Sequence, residues 1–224
     1  MNSPTDPAKD PLGEGAQRRV TDTYAAEQPI HELTARADAY TPGDTDLAWT
    51  RITPWRSMLA AALDQVVCEV TSAEVEGEEF NPSVELLAMW LAERLKVPVR
   101  RSKSTGPGLT SVRMETSSGP IVLDRPDGSL ATLSIQGQPD RAVALKRRDT
   151  AELIAEELRR LDPDDTYATA LKFGLERLDE EAAVTAPEVV VETVAETVVE
   201  SAAPAAPAAK PAAKKATAKK AAAK

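Results

Sequence analysis

The chain has 224 residues, 42% of them hydrophobic and 4% aromatic, with a formal net charge of -9. A single cysteine, Cys68, and a single histidine, His31, exclude an intrachain disulfide framework and fall short of the roughly four soft ligands of a structural zinc site. The acidic balance argues against general nucleic-acid binding by the body, and no apolar run approaches the ~20 residues of a membrane span.

Residues 1–40 are rich in Pro, Asp, Gly, Thr and Ala and read as a linker or arm with one short helix. The start, "MNSPTDPAKDPLGEG", has neither a basic nor an apolar segment, so it does not resemble a secretory signal. A cytoplasmic setting is expected. His31 lies in this polar stretch, which is poor ground for Ser-His-Asp or Cys-His chemistry. Cys68, in "QVVCEV", reads as a small apolar packing residue.

A folded domain is expected over 41–178. It opens with "TPGDTDLAWTRITPWR" (41–56), which gathers Trp49 and Trp55 with Asp44, Asp46, Arg51 and Arg56. From Trp55 to Val66 the apolar residues recur at three- and four-residue spacing, which predicts an amphipathic helix. It starts either at Thr53-Pro54 or near Asp44–Thr45 with a kink at Pro54. "CEVTSAEVEG" alternates as a strand. "NPSVELLAMWLAERL" is a helix capped by Asn81, with Val84, Leu87, Trp90, Leu91 and Leu95 as its apolar stripe.

"KVPVRRSK" then reads as an edge strand, and "STGPGLTS" as a hairpin turn rather than a phosphate loop, since it lacks the lysine and the helix. "GLTSVRMET", "GPIVLDRP", "GSLATLSIQG" and "DRAVALKRR" are further strands. The turns "SSGP" and "DRPDGS" make neighbours antiparallel. Two helices close the domain: "DTAELIAEELRRL", capped by Asp149 or Thr150, and "DDTYATALKFGLERL", introduced by "DPDD". The fold class is α+β: a mainly antiparallel sheet of about five strands with three to four helices packed on it.

Residues 179–200 form an acidic linker with seven carboxylates, and 201–224 hold only Ser, Ala, Pro, Lys and Thr, six of them lysines. That composition predicts a disordered tail. The tail supports only weak, salt-sensitive attraction to nucleic acid, which leaves a nucleic-acid-associated protein as the alternative function.

Asp44 and Asp46 are candidates for paired-carboxylate chemistry, but helix capping explains them better. Arg100, Arg101, Lys103, Lys146, Arg147 and Arg148 lie at strand ends, as an anion or partner site or as solvated edge charges. No catalytic, cofactor-binding or metal-binding residue is assigned. Asp44, Asp46, Trp49, Arg51, Trp55 and Arg56 are the partner-binding candidates, because tryptophan beside arginine is the composition of interface hot spots. The competing expectation keeps both tryptophans in the core and pairs the arginines with Asp44 and Asp46.

"GDTDLAWTRITPWR" resembles a signature of the glucose-6-phosphate dehydrogenase assembly protein family, OpcA. The resemblance continues through "DPLGEGAQRRVTD", "LAMWLAERLKVPVRR" and "AEELRRLDPDDTYATAL", in order over about residues 10–178. It implies a non-catalytic assembly factor or activator of glucose-6-phosphate dehydrogenase, acting by protein binding in the oxidative pentose phosphate pathway and supporting NADPH supply. Family members carry a further α/β region ahead of the matching segment. The chain is therefore expected to correspond to the C-terminal part of such a protein, through an upstream start or a truncated variant.

Overall fold

The computed structural model describes residues 6–160 and 162–174. The acidic linker, the lysine-rich tail and the end of the last predicted helix lie outside the described residues.

The arm carries β1 (Arg19–Thr21), a 3-10 turn (Thr23–Ala25) and α1 (Pro29–Asp38), and it is docked on the body. β1 pairs in parallel with β2 (Asp44–Asp46), with Val20 opposite Thr45. Leu33 of α1 enters the core.

The chain then turns into α2 (Leu47–Arg51) and α3 (Thr53–Leu63). Both starts weighed from the sequence are partly realised. Asp46 caps α2 by accepting a hydrogen bond from the Ala48 amide, and the axis breaks at Ile52. Pro54 lacks an N–H, so it fits the first turn of a new helix better than the interior of an old one. Thr53 is already helical and is not the cap.

β3 (Val70–Glu78), α4 (Pro82–Leu95) and β4 (Val99–Ser104) form a β-α-β unit, so β4 runs parallel to β3. Asn81 caps α4 as predicted, accepting from the Ser83 amide. The stripe is broader than expected: Leu86 and Ala88 are buried with Val84, Leu87 and Leu91, whereas Trp90 and Leu95 are only partly covered.

β5 (Leu109–Thr116), β6 (Ile121–Asp124), β7 (Leu130–Ile135) and β8 (Arg141–Ala144) complete a six-stranded sheet in the order β4-β3-β5-β6-β7-β8. Every pair except β3–β4 is antiparallel. The sheet has six strands rather than about five. The expected hairpin at "STGPGLTS" is not one. The segment crosses from β4 to β5 past the end of β3, because the α4 crossover has placed β4 on the outer side of β3. Gly106 and Gly108 take positive φ there.

α5 (Thr150–Glu157) starts with a capping box between Asp149 and Glu152. Residues 165–174 form α6, whose first turn is capped by Asp164 accepting from the Tyr167 amide. Ala73 and Val75 of β3, Val112 and Met114 of β5, Ile121 and Leu123 of β6, and Ala131, Leu133 and Ile135 of β7 line the inner face. Alternate residues such as Arg113, Asp124 and Thr132 face solvent, so one face of the sheet carries the core and α4 lies on it.

Candidate functional site

Residues 44–56 sit at the junction of arm, helices and sheet. Asp46 is fully buried, and four donors converge on its carboxylate. Oδ1 accepts from Ala48 N at 2.8 Å and Thr23 Oγ1 at 3.0 Å; Oδ2 accepts from Thr21 Oγ1 at 2.6 Å and Thr23 N at 3.0 Å. Burial pushes the Asp46 carboxyl above its ordinary pKa, and the four donors pull against that rise. Asp44 points elsewhere. It accepts from the Thr41 amide at 2.8 Å and pairs with Arg19. The two carboxylates therefore act separately: Asp44 holds Arg19 of β1, whereas Asp46 both ties down the arm through Thr21 and Thr23 and caps α2.

Three aromatic rings here carry a guanidinium. Arg56 lies over Trp49 at 3.6 Å, Arg125 over Trp55 at 4.9 Å and Arg51 over Tyr24 at 5.0 Å. Trp49 is in the core, packed on Tyr167, with its indole N–H donated to Asp164 at 2.8 Å. Burial draws the Arg56 guanidinium down to about 10. Arg51 forms a two-point ion pair with Asp22, at 2.6 and 2.9 Å. The arginines do not pair with Asp44 and Asp46 as one expectation had it. β1 brings Asp22 and Arg19 into those roles because the arm docks beside the stretch.

A second knot joins the same elements. Glu157 is buried and accepts from Arg18 at 2.9 Å and from Thr50 Oγ1 at 2.7 Å. Arg148 reaches Glu156 and the Thr50 carbonyl.

Of the six candidates, Asp46, Trp49 and Trp55 are buried, and Asp44, Arg51 and Arg56 are half-buried. Arg51 and Trp55 meet at a cleft of about 60 Å³. Its walls come from the arm (Tyr24), the α2–α3 junction, the cap of α4 (Asn81, Ser83), the β4–β5 crossing (Gly108, Leu109), Arg125 after β6, and residues 145–148 after β8. Among the described residues no carboxylate lines it. Beside the cleft, Tyr24 bonds Glu78 at 3.3 Å, and Glu78 also receives the Asn81 amide at 3.3 Å. Between Glu78 and Asn81 stands Phe80. Its side chain is exposed, at 66%, and its φ is 57°, in the left-handed region that a phenylalanine rarely occupies.

The basic strand ends separate into two groups. Arg100, Arg101 and Lys103 on edge strand β4 pair with Glu74, Glu85 and Glu79. Lys146, Arg147 and Arg148 line the cleft. Tyr24, Phe80 and Arg125 were missed by sequence reasoning. Phe80 left a faint signal as a large ring in the polar run "GEEFNPS" directly before a cap. Arg125 left none, since "LDRPDG" reads as a turn. Cys68 is half-buried with a free thiol, and His31 is exposed on α1. Among the described residues no group of His, Cys, Asp or Glu is placed to hold a metal, and no helix is long and apolar enough to cross a membrane.

Fold and site define a small α+β domain whose docked arm supplies Tyr24 to one wall of a basic cleft. A family model for the C-terminal domain of a glucose-6-phosphate dehydrogenase subunit matches residues 42–171, more than half of the chain. The chain belongs to that family. No curated protein matches it. Among solved structures it is similar to KijD10, a 3-ketoreductase from Actinomadura kijaniata in complex with TDP-benzene and NADP in the open conformation, at 10% identity and a TM-score of 0.34. The match covers 65% of this chain and 62% of that one, under two thirds of the reductase's length. A likeness this distant carries no argument about function.

Proposed function

We propose that this chain is a non-catalytic binding partner of glucose-6-phosphate dehydrogenase that promotes its assembly or raises its activity. The observation that carries this reading is the family match, which includes the whole of 44–56. An activator must bind the active form of its enzyme more tightly than the inactive form, because equal affinity shifts nothing. Stabilising an assembled oligomer by mass action meets that condition. A partner present at a hundred times its Kd stabilises by about 2.7 kcal/mol.

The face presented to the dehydrogenase comprises the cleft rim that bears Tyr24 and Arg51 and the exposed Phe80 that directly precedes the α4 cap. Exposed rings next to an arginine supply large contact area with few rotors. A strained backbone that holds one of those rings outward has a cost in the free chain, and such cost concentrates at functional positions. Asp44, Asp46, Trp49, Trp55 and Arg56 act from beneath, by fixing the arm and the α2–α3 junction that carry this rim.

The test is titration of purified dehydrogenase from the same organism with the chain and with Phe80→Ala and Arg51→Ala, by calorimetry. The reading expects saturable binding that either substitution weakens by about tenfold or more, while Asp64→Ala, on the exposed end of α3, leaves it unchanged. Undiminished binding by both variants would move the interface elsewhere. Lack of binding by the parent chain would sink the proposal.

A further inference from the structure

The cleft holds five cationic side chains: Arg51, Arg125, Lys146, Arg147 and Arg148. Two of them have carboxylate partners, Arg51 with Asp22 and Arg148 with Glu156. Arg125, Lys146 and Arg147 have none among the described residues. Arg125 is the informative one. It is 5% exposed, it donates only to the Leu145 and Leu109 carbonyls at 2.7 Å each, and its buried Nε has no partner. A buried cation without a counter-charge is costly unless something supplies one. Burial draws its pKa down to about 10, and the charge of Arg147 adds to that against a smaller pull from Asp127.

Arg147 is exposed at the rim and lies alongside Gly108 and Gly128. A methyl group built on Gly108 or Gly128 would come within 3.5 and 3.1 Å of its side chain. Both glycines have positive φ, so the loops that floor the arginine depend on them. The other polar groups of the lining are spent internally. Ser83 Oγ donates to the Ala48 carbonyl, and the Asn81 side chain caps α4.

We propose that this cleft binds the phosphate group of a small phosphorylated ligand, with Arg125, Lys146 and Arg147 as the charged contacts. Size and charge both select this class. A cavity of 60 Å³ has room for about four or five water-sized groups, which matches a phosphate and excludes a whole sugar or nucleotide. The rest of the ligand would lie outside, against Tyr24. Three uncompensated cations suit a group carrying about two negative charges better than a carboxylate carrying one. The site does not require the dehydrogenase reading, and the test uses the chain alone.

The full chain is titrated by calorimetry with inorganic phosphate and with phenyl phosphate at fixed ionic strength, against chloride and acetate. Melting temperatures are recorded in parallel. The proposal expects one saturable phosphate site per chain, tighter binding of phenyl phosphate, and acetate weaker by about tenfold or more. Lys146→Ala combined with Arg147→Ala, both at exposed positions, should lower phosphate affinity by about tenfold without lowering the melting temperature. Arg125→Lys should also weaken binding; if it fails to fold, the exposed pair decides. Phosphate binding no better than chloride would overturn the proposal. So would a double variant that binds like the parent, because the lysine-rich tail would then be the source. Acetate or an acidic peptide competing as well as phosphate would assign the cleft to carboxylates and equally overturn it.

Discussion

Replacing Asp46 by alanine isolates what fixes the arm to the body. The carboxylate collects two buried amides, Thr23 N and Ala48 N, and two hydroxyls. Thr21 Oγ1 retains the Thr45 carbonyl at 3.2 Å, so its loss is partial. The amides have no alternative, since Thr23 and Ala48 are 1% and 0% exposed. A buried donor left without a partner costs about 1–3 kcal/mol. Two such amides, less the desolvation recovered by removing a buried carboxylate, give a net loss of about 3 kcal/mol. That is a large share of the 5–15 kcal/mol that holds a typical domain together. Asp44→Ala is the comparison. It loses a half-buried pair with Arg19 and the bond from Thr41, and the expected cost is about 1 kcal/mol. Urea unfolding followed by tryptophan fluorescence reads both, because Trp49 and Trp55 leave the core on unfolding. A cost for Asp46→Ala below about 1 kcal/mol, or no larger than that of Asp44→Ala, would refute the claim that this carboxylate anchors the arm.

Two further substitutions separate stability from recognition. Phe80→Gly removes a side chain from a φ of 57° and should stabilise the chain by about 0.5–1 kcal/mol while weakening dehydrogenase binding; a loss of stability instead would mean that the ring packs usefully in the free protein. Tyr167 is buried and its hydroxyl pKa is raised, first by burial and then by Asp46 and Asp44. An acid whose folded pKa lies above its unfolded value contributes stability in full below the unfolded value, and loses it as pH rises toward the folded one. Stability should therefore decline above about pH 10, by up to ~1.4 kcal/mol per pH unit per proton, and Tyr167→Phe should flatten that decline in alkaline urea titrations.

Most of the fold was legible because each element carries its own local signal. Caps at Asn81 and Asp149, the stripe of α4, and the alternation of β5 to β7 all act within a few residues. The parallel placement of β4 was not legible. "STGPGLTS" has the chemistry of a tight turn, and only the return through α4, which sets β4 parallel to β3 on its outer side, makes it a crossing. The site was harder still. The sequence showed that the tryptophans and arginines of 44–56 belong together, but not which layer they occupy. The partners that decide this, Asp22, Arg125, Glu157 and Asp164, are 29 to 115 residues away along the chain in the contacts that matter. Arg125 in particular sits in a turn-like hexapeptide and becomes a cleft wall only because β6 delivers it beside Trp55.

The most direct test of the central claim is the rate and the oligomer mass of glucose-6-phosphate dehydrogenase from the same organism, measured together across a titration of this chain. The account predicts a saturable rise in rate, or a shift to a larger assembly, at one common concentration midpoint, with Phe80→Ala moving that midpoint about tenfold or more. A dehydrogenase whose rate and mass are both indifferent to saturating amounts of the chain would contradict it.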